Sequence, residues 1–385
     1  MSTFYDGTKL LSMMDINGKK PEIYICTSNR SAGKTTFFNR YFVKRFLNYG
    51  EKFVLIYRFK YELDSIAEKF FNGVKSLFFT DYNMTAKSKA GGMYYDLLLS
   101  KNGDSKSEVC GYAIALNCAD QIKKYSHLMN DAQRMLFDEF QSETNHYATN
   151  ELNKLISVHT SLARGEGKQC RYLPIFMLSN NVSLLNPYFV ALGVSTRLRE
   201  NTNFLRGNGF VLEQGYNTSA SKALETSAFN KAFSNADYVK YASQKSYLND
   251  NTAFIDTPKG KSKYLCTIRF KNKNFGVFEF AEEGIIFCSD NADVSYPLKL
   301  AVTTEDLRIN YVMIKKNDLF ISNLRYYFDN GCFRFKNLLC KECILSTLSY
   351  WLSHFYKINV KDGLYWLISA VFLSALQTAL IFKND

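Results

Sequence analysis

Ser28-Asn29-Arg30-Ser31-Ala32-Gly33-Lys34-Thr35-Thr36 follows directly on the apolar run Ile23-Tyr24-Ile25-Cys26-Thr27 and opens a segment of helical periodicity. A strand feeding a Gly-Lys-Thr turn and then a helix is the setting of a phosphate-binding loop. Successive backbone N–H groups and the helix N-terminus converge there on an anion. Lys34 is expected to reach the β- and γ-phosphates and the Thr35 hydroxyl to sit on Mg²⁺, so ATP and Mg²⁺ are the expected cofactors. The whole run, Ser28, Asn29, Arg30, Ser31, Ala32, Gly33, Lys34, Thr35 and Thr36, is the expected cradle. Ser28 replaces the first Gly of G-x-x-x-x-G-K-[ST], which works only if that position needs no positive φ. A Gly-Lys-Thr helix start also arises by chance, so the loop does not decide the matter alone.

The deciding partner is Met135-Leu136-Phe137-Asp138-Glu139-Phe140. Asp138, closing an apolar strand, can hold the water shell of Mg²⁺, and Glu139 beside it can polarise an attacking water as general base. Small GTPases lack a base at that position, so Asp-Glu favours an ATPase of the additional-strand (ASCE) class. The plain alternative is an acidic pair at a strand end, and the upstream loop outweighs it. Asn180, ending the next strand, is placed to sense the γ-phosphate or the attacking water, against the reading of a simple Asn turn. Within Ser161-Leu162-Ala163-Arg164-Gly165-Glu166-Gly167-Lys168, Arg164 is a candidate finger that would complete a neighbouring subunit's site, against the plain reading of a solvated Arg in a Gly-bearing loop, with Arg171 as its competitor.

Around these motifs the first two hundred residues alternate strand-like and helix-like segments. Lys34 to Tyr49 reads as a helix with Phe37, Phe38, Tyr41, Phe42 and Phe46 on its apolar face and Gly50 ending it. Phe53–Tyr57, Gly111–Leu116, Met135–Phe140 and Leu173–Leu178 read as further buried strands. Lys34, Arg58, Asp138, Glu139 and Asn180 then fall at strand C-termini, where open parallel sheets bind ligands. The expected architecture is α/β: a P-loop (ASCE) parallel sheet with helices on both faces over 1–205, a helical linker over 206–250, and a smaller α+β unit over 251–385. That last unit opens with a three-stranded meander. Tyr264–Phe270, a Lys271-Asn272-Lys273-Asn274 turn, Phe275–Phe280 and Ile285–Cys288 carry it.

Composition sets the outer bounds. At 385 residues, 46% hydrophobic and 22% charged, the chain has the make-up of folded two-domain protein, and 16% aromatics with five Pro exclude a disordered tail. A net charge of +12 favours polyanionic partners, with a generically basic enzyme as the bland reading. Nine scattered Cys and an N-terminus without an apolar signal core predict reduced thiols in a cytoplasm. Cys332, Cys340 and Cys343 lack a convincing fourth ligand, so buried thiols are expected there rather than zinc. Gly363–Phe382 carries no charge and has the length of a membrane span, but Ser369, Ser374, Gln377 and Thr378 sit badly in lipid. A buried helix is expected and membrane association is not.

These residues resemble a known family. An Arg inside a Ser/Gly-x-Arg-x-x-Gly-Lys-Thr loop, Tyr57-Arg58 ending the next strand, Gly111–Asn117 and Phe137-Asp138-Glu139-Phe140 look like the terminase/FtsK-HerA-like P-loop ATPases that encapsidate tailed-phage DNA. Chain length and Tyr327–Phe335 are most similar to the DNA packaging proteins of small protein-primed phages of the Picovirinae type. The resemblance covers most of 20–345 and implies a homo-oligomeric ring, five-membered in relatives, docked on the portal of an empty prohead. ATP hydrolysis there drives double-stranded DNA inward. Such a protein works in the host cytoplasm, transiently attached to the prohead, and is absent from the mature virion. Several relatives use a packaging RNA; the sequence is silent on one here. By resemblance, Arg58 acts near a neighbour's nucleotide or in the pore and Arg164 acts in trans. The second unit would be a vestigial RNase H-like fold, offering Arg269 and Lys273 where nucleases bear a metal-binding Asp. It is expected to bind DNA without cutting it, and Lys261, Lys263, Lys271 and Lys273 are candidates for tracking phosphates, against the plain reading of solvated hairpin lysines. Rival readings are a helicase or conjugation-type translocase, a membrane-associated P-loop ATPase, and a structural nucleic-acid-binding protein with an inactive loop.

Overall fold

The computed structural model describes residues 4–359 apart from 145, 166, 168, 196, 199–201, 235, 244–246, 249–253 and 315–318. The apolar segment 363–382 lies outside the described residues. Two compact units emerge, Met1–Asp250 and Asn251–Asp385.

The first unit is built on nine strands: β1 (Ile23–Ser28), β2 (Lys52–Tyr57), β3 (Tyr82–Lys89), β4 (Tyr94–Lys101), β5 (Glu108–Ala115), β6 (Ala132–Asp138), β7 (Ile175–Asn180), β8 (Phe204–Gly207) and β9 (Phe210–Gln214). They form one sheet in the order β3-β4-β5-β2-β6-β7-β1-β9-β8. The six strands from β5 to β9 in that order run parallel, and the outer pairs are antiparallel. β7 lies between β1 and β6. This inserted strand is the signature of the additional-strand class, and it sets Asn180 between the phosphate loop and the acidic strand end.

Both sheet faces are covered, which is why the central strands read as near-continuous apolar runs. Ile25, Met135, Phe137 and Met177 pack on one face under the helix Glu151–Leu162, through Leu155, Val158 and Leu162. Tyr24, Cys26, Leu136 and Phe176 pack on the other against Phe38 and Phe42 of the helix Lys34–Tyr49. Phe70, Phe71 and Val74 of the helix Ile66–Phe78 join the same layer. The stacked Tyr24 and Phe176 rings, 4.8 Å between centroids, tie neighbouring strands beneath it. Gly50 ends the helix Lys34–Tyr49 at φ 67°, its N–H donating to the Phe46 carbonyl.

Three features depart from the sequence reading. The β3–β4 ribbon went unseen because β3 is largely exposed at the sheet edge and lacks an apolar alternation. Residues 204–214, which straddle the expected start of the connector, form a hairpin, and β9 pairs with the free edge of β1 from Ile23↔Phe210 to Thr27↔Gln214. The helices Thr218–Thr226 and Asp237–Ser243 that follow fall within the first unit.

The second unit contains β10 (Lys263–Phe270), β11 (Lys273–Phe280), β12 (Ile285–Ser289), β13 (Lys299–Ala301), β14 (Val312–Met313) and β15 (Phe333–Phe335), ordered β14-β13-β10-β11-β12-β15. β10, β11 and β12 are the expected antiparallel meander. β13 joins β10 and β15 joins β12 in parallel, and a meander extended by parallel strands at its first edge is the pattern of an RNase H-like sheet. The first turn is tighter than the sequence suggested. Lys271 and Asn272 alone make it, at φ 48° and 61°, the two left-handed residues of a type I′ hairpin, so Lys273 and Asn274 belong to β11. Cys340 and Cys343 are buried free thiols at the start of the helix Leu338–Asn359.

Candidate active site

The loop after β1 is shaped by two left-handed residues, Ser31 at φ 58° and Gly33 at φ 98°. Ser28, by contrast, is the last residue of β1 and pairs with Asn180. The position where the motif usually has its first Gly is therefore extended, and Ser fits it without strain. Gly33 immediately precedes the helix Lys34–Tyr49 and is its N-cap, so the positive end of that helix faces the loop. Asn29 is buried and fixes the loop from behind: its Nδ2 donates to the Asn217 carbonyl at 3.1 Å, and its Oδ1 accepts from Asn217 N–H at 2.9 Å.

The functional groups meet across the strand ends. Lys34 Nζ donates to Ser28 Oγ at 2.8 Å, to the Asn29 carbonyl at 3.4 Å and to Asn180 Oδ1 at 3.1 Å. Thr35 Oγ1 donates to Asp138 Oδ2 at 2.8 Å, joining residues 103 positions apart. Glu139 takes up a left-handed φ of 54° with its N–H on Asp138 Oδ1 at 3.0 Å. For a non-glycine residue that conformation costs about 1–2 kcal/mol, and it turns the peptide sharply after the strand. Ser31 to Thr36, Asp138, Glu139 and Asn180 all line one cleft of about 980 Å³.

Desolvation governs the electrostatics here. It pushes the Lys34 ammonium below its ordinary value. It raises the Asp138 carboxyl, against the opposing Thr35 hydrogen bond, and raises Glu139, to which the Asp138 charge adds. Charged forms held in a poorly solvated cleft are the arrangement of a site that acts on a charged ligand. The Thr35 hydroxyl and Asp138 carboxylate are hard oxygen donors, side by side at the end of the loop, and suit Mg²⁺.

Arg30 also lines this cleft, with its charge already engaged. Its guanidinium pairs with Glu143 and lies over the Tyr238 ring at 5.3 Å. Glu143 also accepts from Tyr241 Oη at 3.0 Å and Tyr238 Oη at 3.2 Å. Against the cost of partial burial, these donors keep the Glu143 carboxyl below its ordinary value. Sequence reasoning missed Glu143, Tyr238 and Tyr241, since nothing local marks a Glu five residues past Asp138 as the partner of a loop arginine.

Arg58 is not where the resemblance implied. Its side chain is buried, with Nε on Glu151 Oε2 at 2.8 Å and Nη2 on the Phe140 carbonyl at 2.7 Å. Glu151 in turn accepts from Tyr188 Oη and Ala148 N–H. An arginine so enclosed braces the turn that carries Glu139 and Phe140; it offers no exposed guanidinium to DNA or a neighbour. Arg164, in contrast, is exposed in the loop after the helix Glu151–Leu162. Its competitor Arg171 is buried, with Nη2 on the Leu162 carbonyl at 3.1 Å and its backbone N–H on that of Ala163 at 2.8 Å. Arg171 staples the loop and leaves Arg164 as the arginine facing outward.

In the second unit Lys261 and Lys263 are exposed and Lys273 is half-buried. Lys271 is tied to Glu342 at 2.7 Å, so its ammonium is already neutralised by the helix Leu338–Asn359. Arg269 on β10 reaches Asn274 Oδ1 at 3.3 Å and Asn272 Oδ1 at 3.4 Å across the hairpin.

Residues 1–349 match the podovirus DNA encapsidation protein (Gp16) family. The DNA packaging protein of Bacillus phage phi29 is 25% identical over 346 residues, 89% of this chain and 96% of that protein. The DNA packaging protein of Bacillus phage B103 is 26% identical over 317 residues, covering 81% and 92%. Among solved structures, the bacteriophage phi29 genome packaging motor assembly shares the fold at a TM-score of 0.65 and 24% identity, over 91% of this chain and 100% of that one. The phi28 gp11 DNA packaging motor shares it at 0.55 and 16%, over 91% and 98%.

Proposed function

Because this chain belongs to the podovirus DNA encapsidation protein (Gp16) family, and so is a nucleotide-binding viral DNA packaging ATPase, we propose which of its residues carry the hydrolysis. Ser28 to Thr36 cradle the triphosphate, with Lys34 on the β- and γ-phosphates and Thr35 and Asp138 as the oxygen donors for Mg²⁺. The ion would neutralise charge developing on the phosphate oxygens. Glu139 takes the proton of the attacking water. Asn180, now holding the Lys34 ammonium, is placed to report when Lys34 turns from it to the γ-phosphate. Arg164 would complete a neighbour's site.

One observation carries this reading: the 2.8 Å bond from Thr35 to Asp138, which brings the loop and the acidic strand end together with β7 between their strands. Glu139→Gln tests it. The variant should bind ATP as the parent does, by equilibrium dialysis, while turnover falls about 10²–10⁴-fold, the usual contribution of a general base. Unchanged phosphate release would sink the assignment.

The protein acts in an oligomeric motor with DNA and other phage components. The finer picture is a five-membered ring on the portal, driving double-stranded DNA into the prohead from the host cytoplasm with or without a packaging RNA. It rests on the family membership and on the exposed Arg164. Mixing Arg164→Ala subunits with Lys34→Ala subunits tests the ring: recovered turnover places Arg164 in trans.

A further inference from the structure

A cavity of about 330 Å³ opens at the opposite end of the first unit's sheet from the nucleotide cleft. Among its lining residues, Tyr24 lies near the start of β1, Arg134 near the start of β6, Pro174 just before β7 and Glu51 just before β2. Tyr41 and Arg45 reach it from the helix Lys34–Tyr49. The nucleotide cleft sits at the C-terminal strand ends, and the two cavities share no lining residue.

The charges here are out of balance. Lys20, Arg45 and Arg134 line the cavity, against the single carboxylate of Glu51. Arg45 grips Glu51 through two donors, Nε to Oε2 at 2.7 Å and Nη2 to Oε1. Arg134 Nη2 donates to the same Oε2, so two guanidiniums share one negative charge. Arg134 is 7% exposed, and its Nε–H is buried with no hydrogen-bond partner. Desolvation pushes its guanidinium below the ordinary value; the Tyr41 hydroxyl opposes this and the Arg45 charge adds to it. A buried cation short of counter-charge is costly to hold, and an incoming anion relieves it.

The walls are aromatic. Lys20 Nζ lies over the Tyr172 ring at 4.6 Å and the Arg134 guanidinium over the Tyr41 ring at 5.3 Å. Glu22 acts on Tyr172 from outside the lining, which leaves the guanidinium pair as the seat of the excess charge. We propose that this cavity is a second anion site, separate from the nucleotide cleft, and that it takes a carboxylate. A guanidinium fork matches carboxylate and phosphate alike; depth and walls separate them. Duplex nucleic acid carries its phosphates on a stiff convex surface, which does not enter a cavity of this size. A carboxylate on an apolar stem reaches a guanidinium below the surface and packs its stem against the rings. An acidic side chain of a partner protein and a free small acid both present that group.

Titration calorimetry tests this on the full chain, with the nucleotide cleft first filled by Mg²⁺ and a non-hydrolysable ATP analogue. The probes are glutarate, the blocked peptide acetyl-Gly-Glu-Tyr-Glu-Gly-amide, its Gln-for-Glu counterpart and inorganic phosphate. Glutarate or the Glu peptide should bind saturably, tighter by about 10-fold or more than the Gln peptide and phosphate. The tighter of the two names the source: the peptide a partner protein, glutarate a free acid. Arg134→Gln should weaken that probe about 10–100-fold, the worth of one charge-assisted hydrogen bond. Lys20 is exposed, so Lys20→Gln keeps the fold and should weaken the probe about 3-fold with ATP turnover unchanged. Absence of saturable binding, equal binding of the Gln peptide or phosphate, or parent-like affinity in either folded variant would overturn the carboxylate site.

Discussion

At the C-terminal ends of β1, β6 and β7, Lys34, Asp138 and Glu139 share a cleft where desolvation works against every one of their charges. In the second unit charges meet in pairs: Lys336 with Asp290 and Arg325 with Asp329 at the surface, and Lys271 with Glu342 part-buried. The first arrangement is costly for the protein by itself and is relieved by a polyanion with its counter-cation. The second is complete without a ligand, and Lys261 and Lys263 of that unit are exposed. One region sets its charges against desolvation; the other pairs them. Arg58–Glu151 belongs to neither kind, since its members are 8% and 1% exposed and fully paired. It is a brace beneath the turn that carries Glu139 and Phe140.

That contrast can be broken at four points. Arg58→Ala leaves the Glu151 charge buried without its cation and should cost about 3–5 kcal/mol in urea unfolding. A loss under about 1 kcal/mol would return Arg58 to the exposed, ligand-facing groups. Lys34→Ala removes the cation from the phosphate end and should lower turnover about 10²–10³-fold with a loss of ATP affinity. Parent-like release of phosphate would mean that the cleft charges serve structure only. Removing Lys261 and Lys263 together should flatten the salt dependence of DNA binding by about one unit of slope for each phosphate that is no longer neutralised. An unaltered slope would move the DNA surface elsewhere. Lys271→Ala, in a pair whose side chains are 25% and 19% exposed, leaves part-buried Glu342 without its cation and should cost about 1–3 kcal/mol while leaving the DNA salt slope as it was. A shift in that slope would show that Glu342 does not hold it.

Local signals were legible for physical reasons. The strand, loop and helix from Ile23 to Gly50 can be read because apolar periodicity, the helix-starting Gly-Lys-Thr and the terminal Gly act within a few residues of one another. The meander was legible through alternation, and its first turn was misjudged by two residues because left-handed Lys271 and Asn272 carry no Gly to mark them. The edge strands β3 and β8 were not legible: with one solvated face they lack the buried run that betrays a central strand.

The sequence by itself determined the chemistry available: a lysine and a threonine at a helix start, an Asp-Glu pair at the end of a buried strand, an arginine in a glycine-bearing loop. Only the tertiary structure decided the pairings. It placed β7 between β1 and β6, so that Asn180 meets Lys34, and it drew Arg30 to Glu143. It enclosed Arg58 while leaving Arg164 outside, and it brought Arg134 to Glu51. Each of these joins groups far apart along the chain, and their meeting depends on sheet order and burial, which no local pattern of residues encodes.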